Sequence, residues 1–532
     1  MVASSRLGRV VVAEAFDQRG IDVMRNAGAD VVSMVGASRE ALHAALKDAC
    51  GLIVRSETHV DAHLLAFAPH LQVVARAGVG VDAIDVDAAS AAGIVVVNTP
   101  AANTLAATEH TFALLFAAMR NVPQAHASVH AGAWDRRSFV GYELFGKTLG
   151  IVGLGRIGSN VASRAAAFGL SVIAHDPYIP SSRASALSVD LVEFDELLAR
   201  SDIVTLHVPL TLQTRDMIDA RAFAQMRNGT VLVNCARGGV VEVRALLEAL
   251  DAGRLRCAAI DVVPQEPPPE GSACERVMRH ERVVSTPHLG GSTYEALERI
   301  AIELAHDVIR VLDGRPASGA VNAPVLTGAD AERASGFINL AFVLGTLLPQ
   351  LFDDAVRDEI AIVLQGDLET LAAEPFLAAL LAGILPFVTD RRATLVNALA
   401  LARELGVRTA VVRERAVAPF RSSLVVAAGG HRIAGTVLQT GARIVEIDGF
   451  EMDAVAGGTM LVTRHDDVPG MVGRIGTILG NANVNISTMQ VARSKRGGKA
   501  MMVLEVDRGV DRDVVDAVAR IEGIADIRHV RL

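Results

Sequence analysis

Three side chains in the middle of this 532-residue sequence have a joint chemical logic: Arg237, Glu266 and His288. Each follows a short apolar run that reads as a buried β-strand, at 231–234, 257–262 and 283–286. Open α/β sheets bind their ligands beyond the carboxyl ends of such strands. A secondary alcohol gives up a hydride only when a base takes its hydroxyl proton, and an imidazole titrating near neutrality suits that task. His288 is the candidate base. Glu266 on the other ring nitrogen would set the tautomer and favour the imidazolium that forms. Arg237 would hold an α-carboxylate or α-carbonyl oxygen. Singly, Arg237 reads as a surface ion pair and Glu266 as a solvated loop residue. It is the set of three that describes acid–base chemistry at a C–OH group.

A hydride needs an acceptor, and the sequence supplies a place for one. Gly153-Leu154-Gly155-Arg156-Ile157-Gly158 follows the strand-like Thr148–Val152 and opens a helical stretch. The first glycine permits a tight turn, the second lets backbone approach a pyrophosphate, and the third allows close helix–strand packing. The helix N-terminus supplies the anion site. Asp176, eighteen residues after Gly158, stands after the next strand. There it would accept from an adenosine ribose 2′-hydroxyl and repel a 2′-phosphate, so NAD is expected over NADP.

The elements that must position these groups form two α/β series. Candidate strands at 10–13, 52–55, 71–75 and 95–98 alternate with Ala-rich helical stretches, and a long helix is expected over 105–120, with a break or restart at Pro123. A second series runs from Lys147, with strands at 148–152, 171–175, 203–207 and the three named above. Alternation of this kind indicates parallel sheets covered on both faces. Pro264–Pro269 is too proline-rich for a helix. A charged amphipathic helix over 292–313 runs into Gly314-Arg315-Pro316, a stop signal, and a boundary falls near Asn322. Residues 323–456 are Ala/Leu-rich, helical at first, with strands at 432–439 and 443–447. The last segment reads β-α-β-β-α-β, a ferredoxin-like plan.

Composition narrows the classes. Lys plus Arg number 51 against 60 Asp plus Glu, a net charge of −9, with no concentrated basic face, so nucleic-acid binding is not expected. Mean hydropathy is +0.35, but the greasiest stretches, 337–352 and 376–388, are short of a membrane span and carry proline. Arg6, Arg9 and Glu14 interrupt any leader-like apolar opening. Cys50, Cys235, Cys257 and Cys274 match neither a disulfide framework nor a zinc pattern, so no metal is expected and a reduced, cytoplasmic setting is.

Residues 1–322 resemble the D-isomer-specific 2-hydroxyacid dehydrogenases throughout. The resemblance rests on the glycine motif, the Arg/Glu/His set, Arg76-Ala77-Gly78-Val79-Gly80-Val81-Asp82, Asn98-Thr99-Pro100 and Thr286-Pro287-His288-Leu289-Gly290. The whole chain resembles the long-form D-3-phosphoglycerate dehydrogenase branch, with an intervening and a C-terminal ACT domain. The resemblance implies two doubly wound parallel-sheet lobes of Rossmann/flavodoxin-like type, then an α+β domain and a βαββαβ domain. It implies a discontinuous substrate-binding domain of residues 1–103 plus 295–322, an NAD-binding domain of 104–294, an intervening domain of 323–456 and an ACT domain of 457–532. Arg237, Glu266 and His288 would be catalytic. Gly153, Gly155, Arg156, Ile157, Gly158, Asp176, Cys235, Ala236, Arg237, Asp261, His288, Gly290 and Gly291 would line the NAD site. Arg55, Arg76, Gly78 and Asn103 would face a phosphorylated hydroxy acid, whose two anionic groups need about two guanidinium partners. Trp134 would lie at a subunit contact.

In the C-terminal segment, His465-Asp466-Asp467-Val468-Pro469-Gly470 and Asn485 resemble the ligand signature of ACT domains. His465, Asp467 and Asn485 would hold L-serine across a domain–domain interface. The implied reaction is NAD-dependent oxidation of 3-phospho-D-glycerate to 3-phosphohydroxypyruvate, opening L-serine synthesis, with serine as feedback inhibitor and a homo-oligomer, a tetramer, as the assembly. Another 2-hydroxy or 2-keto acid on the same apparatus is the alternative, and an NAD-sensing corepressor a more distant one. Three departures from the family pattern stand out. Val241-Glu242-Val243 replaces an Asp-Glu pair, Gly291 replaces alanine, and the stretch between Glu266 and His288 is longer and more charged.

Overall fold

The computed structural model describes residues 7–315, 317–324, 326, 329–334, 336–416 and 418–532. Arg6 and Pro316 lie outside them. The chain divides into two compact units, Met1–Ala15 with Ile21–Asn98 and Leu304–Leu532, and Phe16–Gly20 with Thr99–Glu303.

The first unit opens with a five-stranded parallel sheet: β1 (Arg9–Val12), β2 (Asp30–Ser33), β3 (Ala49–Val54), β4 (Val73–Arg76) and β5 (Val95–Val97), in the order β2-β1-β3-β4-β5. Its Val/Ile/Leu runs are buried on both faces, as all-parallel strands must be. Residues from beyond 304 return to this sheet. Asn98 N donates to Gly319 O at 2.9 Å, Val321 N to Val96 O at 2.8 Å, and the Asn322 side chain bonds Val96 N and Ile94 O.

The second unit carries a seven-stranded parallel sheet: β6 (Thr148–Val152), β7 (Ser171–His175), β8 (Asp190–Leu191), β9 (Ile203–Leu206), β10 (Thr230–Asn234), β11 (Leu255–Ile260) and β12 (Val283–Ser285). The order β12-β11-β10-β9-β6-β7-β8 reverses direction at β6, so a crevice opens where the glycine turn leaves that strand. The sequence reading missed β2 and β8. Both are short edge strands with a leading aspartate, which leaves too few apolar residues for a period to show. The expected helix over 105–120 is Thr104–Arg120, and Pro123 restarts a helix at Val122–His130.

Two further sheets complete the first unit. The six-stranded one comprises β13 (Ile360–Gly366), β14 (Thr409–Glu414), β15 (Ser422–Ala428), β16 (His431–Leu438), β17 (Gly441–Ile447) and β18 (Phe450–Val455). Its order is β14-β13-β15-β16-β17-β18, parallel only between β13 and β14. The sequence showed only β16 and β17 as clear strands, because the apolar runs in β13 and β15 have no period that separates them from buried helix. The greasy stretches become the buried helices Phe337–Leu351 and Glu374–Ile384. The last sheet, β19 (Thr459–Asp466), β20 (Ile486–Arg493), β21 (Lys499–Val506) and β22 (Ile524–Arg531), is antiparallel in the order β20-β21-β19-β22. Helices Met471–Asn481 and Arg512–Ala519 complete the β-α-β-β-α-β plan. One hydrophobic core joins the two sheets: Leu344, Leu348, Phe376 and Ile444 pack in the same cluster as Met460, Val462, Val503 and Val530. The fold is α/β with an α+β extension, as expected. Among the described residues no helix is long and apolar enough to cross a membrane. All four cysteines are free thiols.

Candidate active site

The glycine turn has the geometry a dinucleotide needs. Gly153 sits at φ +93°, and a Cβ there would lie 2.6 Å from the His207 carbonyl oxygen. A Cβ on Gly158 would lie 2.0 Å from Gly153 O, so this glycine lets the helix Arg156–Ala167 pack directly on the turn. A Cβ on Gly155 would meet nothing within 4 Å beyond its own chain neighbours, and no side chain caps the helix it begins. An open face at an uncapped helix N-terminus fits a pyrophosphate. Asp176 follows β7, its Oδ2 accepting from Leu154 N at 2.8 Å and its Oδ1 from Tyr178 N at 3.0 Å. The carboxylate is thereby fixed beside the turn with lone pairs to spare for a ribose hydroxyl. Arg156 Nη1 donates to Pro100 O at 3.3 Å, and Ile157 packs against the core beneath. Burial first, and then the nearby Asp261 charge, push the Cys235 thiol up to about 12.

Glu266 and His288 meet directly: Glu266 Oε2 lies 2.7 Å from His288 Nδ1. The carboxylate is itself braced, its Oε1 accepting from Val263 N at 3.2 Å. The ring's Nε2 is the end left for substrate. His288 sits at φ +56°, a conformation costly for a residue with a Cβ. Asp261, buried at the end of β11, holds it there. Its backbone oxygen accepts from His288 N at 2.9 Å, its Oδ1 from Leu289 N at 2.7 Å and Thr286 Oγ1 at 2.5 Å, and its Oδ2 from Gly290 N at 2.9 Å. Burial raises the Asp261 carboxyl, but the bonds from His110, Thr286 and Leu289 outweigh it and leave the group below its ordinary value.

Arg237 begins a turn after β10 that the buried Asn234 braces, accepting from Ala236 N at 3.1 Å and donating to Arg237 O at 3.1 Å. Arg237 Nη1 donates to Ala236 O at 2.7 Å. A Cβ on Gly238 would lie 2.0 Å from the Val263 carbonyl carbon, so the Arg237 turn rests on the backbone of the Glu266 loop. Asn103 precedes the helix Thr104–Arg120 without capping it, and its buried Oδ1 has no partner. A Cβ at position 291 would come within 3.2 Å of Asn103 Nδ2, so Gly291 gives that amide room where alanine would crowd it. In the Val241-Glu242-Val243 stretch, Glu242 caps the helix Val243–Asp251, accepting from Arg244 N and Ala245 N. The charged stretch after Glu266 folds a short helix, Ala273–Met278, capped by Ser272.

In the first unit, Arg55 heads a loop gathered on one buried carboxylate. Glu14 accepts from the backbone N–H groups of Arg55 (2.8 Å), Ser56 (3.2 Å), Glu57 (3.2 Å) and Thr58 (2.9 Å). Burial raises Glu14 and these bonds more than reverse it. Arg76 Nη1 donates to Ala77 O at 3.0 Å, and a Cβ on Gly78 would lie 1.5 Å from that nitrogen. The space at Gly78 thus serves the Arg76 guanidinium. Trp134 is 82% exposed, so it is no part of the core, and Val140 and Phe145 are exposed nearby in sequence.

His465, Asp467 and Asn485 have separate surroundings. His465 is buried at the end of β19, with Nδ1 3.2 Å from Thr463 Oγ1, and burial lowers its pKa. Asp467 Oδ2 accepts from Gly497 N at 3.0 Å and lies 3.6 Å from Arg493. Asn485 Nδ2 donates to Asp507 at 2.6 Å. Residues 465–470 enter the helix Met471–Asn481 and Asn485 follows its far end, about 16 Å away at 1.5 Å per residue.

Several residues of the site had no role of their own in the sequence reading. Glu14 was seen only as a charge near the N-terminus, His110 fell inside a helix, and Thr286 entered only as part of the Thr286–Gly290 motif. His207, enclosed after β9 beside the glycine turn, has Nε2 3.0 Å from Thr205 Oγ1, a partnerless Nδ1, and a pKa lowered by burial to about 4. A polar residue just past a strand's carboxyl end was the signal available for His207 and Thr286.

Three family models match the chain: the NAD-binding domain of D-isomer-specific 2-hydroxyacid dehydrogenases over 112–290, the D-3-phosphoglycerate dehydrogenase intervening domain over 333–448 and the ACT domain over 459–523. A protein of Archaeoglobus fulgidus named D-3-phosphoglycerate dehydrogenase is 39% identical over 98% of this chain and 100% of its own length. One of the same name from Mycobacterium leprae is 42% identical over 91% and 92%. Among solved structures, the TT0316 protein of Thermus thermophilus is similar at 36% identity and TM-score 0.54, over 59% of this chain and 99% of that one. The D-lactate dehydrogenase of Aquifex aeolicus, solved with NAD and lactic acid, is similar at 27% identity and TM-score 0.51, over 57% and 96%. The chain therefore belongs to the D-3-phosphoglycerate dehydrogenase family of NAD-dependent D-isomer-specific 2-hydroxyacid dehydrogenases.

Proposed function

We propose that this enzyme oxidises 3-phospho-D-glycerate to 3-phosphohydroxypyruvate, the entry to L-serine synthesis, in the cytoplasm. The observation that carries the reading is the 2.7 Å pair between Glu266 and His288, set beyond the strands of a dinucleotide-binding sheet. NAD, when bound, supplies the hydride acceptor. His288 Nε2 takes the hydroxyl proton, and Glu266, already on Nδ1, stabilises the imidazolium. Arg237 holds the α-carboxylate or the oxygen on C2 and Asn103 faces the substrate, while Arg55 and Arg76, with Gly78 making room, meet the second anionic group. Against a net charge of −9 these few guanidinium groups must do the capturing. Gly153, Gly155, Arg156, Ile157, Gly158, Asp176, Cys235, Ala236, Asp261, Gly290 and Gly291 form the NAD site in this reading. The domain limits are 1–103 plus 295–322, 104–294, 323–456 and 457–532.

The C-terminal domain binds L-serine as feedback inhibitor. His465 and Asp467 stand at one end of an eleven-residue helix and Asn485 at the other, so a molecule the size of serine reaches both only across two copies. That geometry supports an oligomer. The exposed Trp134, Val140 and Phe145 support a second contact, and two contacts make a tetramer. The test is NADH formation with a panel of 2-hydroxy acids, each with and without serine. Turnover confined to D-lactate or another unphosphorylated acid would overturn the substrate assignment.

A further inference from the structure

The mechanism above uses His288, but a second histidine lies behind it. His110, on the helix Thr104–Arg120 and mostly buried, points Nε2 at Asp261 Oδ1 (3.2 Å) and Thr286 Oγ1 (3.0 Å). Thr286 in turn lies 2.5 Å from the same Asp261 oxygen, a separation that requires a hydrogen between them. A carboxylate brings only lone pairs, so that hydrogen belongs to the threonine, which then has nothing left to donate to His110. Both partners of Nε2 are acceptors, and Nε2 therefore carries a hydrogen. The tautomer of His110 follows from the bonds around it.

We infer that His110, with Thr286, is a positioning residue for the proton transfer at His288. The chain of bonds runs from His110 through Asp261 and Thr286 to the turn 286–290. On that turn His288 is held at φ +56° by its own N–H on Asp261 O and by the N–H groups of Leu289 and Gly290 on the Asp261 carboxylate. A residue with a Cβ keeps such a conformation only where its surroundings over-determine it. Without His110, Asp261 Oδ1 loses a donor in a buried place, and the turn that aims the imidazole loosens. His110 touches none of the reacting atoms in this account. It acts through Asp261.

This inference rests on the proposed role of His288, and the test keeps the two apart. Wild-type full-length enzyme is first shown to form NADH from 3-phospho-D-glycerate or another acid of the panel; failure there strikes the proposed function, not His110. With the active substrate, His110→Leu, His110→Gln and Thr286→Val are compared for kcat, for the KM of NAD and for the primary deuterium isotope effect with substrate labelled at C2. Misplacing the base slows the chemical step, so His110→Leu should lower kcat about 10- to 100-fold with the KM of NAD within about threefold, and raise the isotope effect. Gln, which presents an N–H at a similar reach, should recover most of the loss. A loss of folded protein scales kcat and leaves the isotope effect alone. If His110→Leu does not fold, the near-isosteric Thr286→Val carries the test and should raise the isotope effect in the same way. Wild-type isotope effect and kcat within twofold in the foldable variants would overturn the inference.

Discussion

The turn that carries His288 and the loop that enters the C-terminal helix are both short, glycine-containing and rich in polar groups, yet they are built on opposite plans. In the first, three backbone N–H groups, a threonine hydroxyl and an imidazole all converge on Asp261. Asp261, Glu266 and the turn 286–290 all lie in one unit. In the second, Asp467, His465 and Asn485 each have a different partner and stand at the two ends of a helix. Nothing within one copy brings them together. If the proposed roles hold, the contrast teaches that a base must be aimed before substrate arrives, whereas an effector site can gain control by being complete only when copies associate.

The comparison breaks most sharply at the base. His288→Ala should lower kcat by at least about 10²-fold, the size of a general-base contribution, while serine binding persists. Steady-state rates with and without serine check it, and near-normal turnover would remove His288 from the mechanism. Next in size is cofactor choice. Asp176→Ala should cut the preference of kcat/KM for NAD over NADP about tenfold or more, because the carboxylate that accepts from the ribose is also the charge that repels a 2′-phosphate. An unchanged ratio would contradict the role given to Asp176. In the C-terminal domain the effect should fall on regulation alone: Asn485→Ala should raise the serine concentration for half-inhibition about tenfold or more, with kcat unchanged. A variant as sensitive as wild type would take Asn485 out of the site.

The smallest effect concerns stability against acid. The folded chain holds His207 near a pKa of about 4, whereas an unfolded chain titrates near about 6.5. Between those values the unfolded state binds the proton and the folded state does not, so stability falls as pH drops from about 6.5 to about 4. His465, also lowered by burial, adds in the same direction from the C-terminal domain. Glu14 and Asp261, lowered carboxyls, contribute stability that is lost only further down, as pH falls through their folded values. Urea midpoints between pH 7 and pH 4.5 check this, and His207→Gln should flatten the slope. A slope equal to wild type would show that His207 is solvated.

What was legible in the sequence was whatever a local pattern encodes. The Gly153–Gly158 turn, the strand before it and Asp176 after it could be read because their roles depend on spacing along one βαβ unit. Arg237, Glu266 and His288 could be read because each ends a recognisable strand. The bracing partners could not, since their roles depend on contacts far apart in sequence: His110 meets a group 151 residues on, and Glu14 a loop 41 residues on. Edge strands β2 and β8 and the apolar β13 and β15 were missed for want of period. Asn485 was legible through its resemblance to a ligand signature, but its bond to Asp507, 22 residues on, was not.

The central claim is that Glu266 and His288 form the proton-transfer pair for a phosphorylated hydroxy acid. It is tested most directly by NADH formation from 3-phospho-D-glycerate in wild type, Glu266→Gln and His288→Ala. Turnover on this substrate that falls about 10²-fold or more in His288→Ala and by a smaller factor in Glu266→Gln is the predicted result. Equal rates in all three proteins, or a wild type that ignores 3-phospho-D-glycerate while oxidising an unphosphorylated acid, would contradict it.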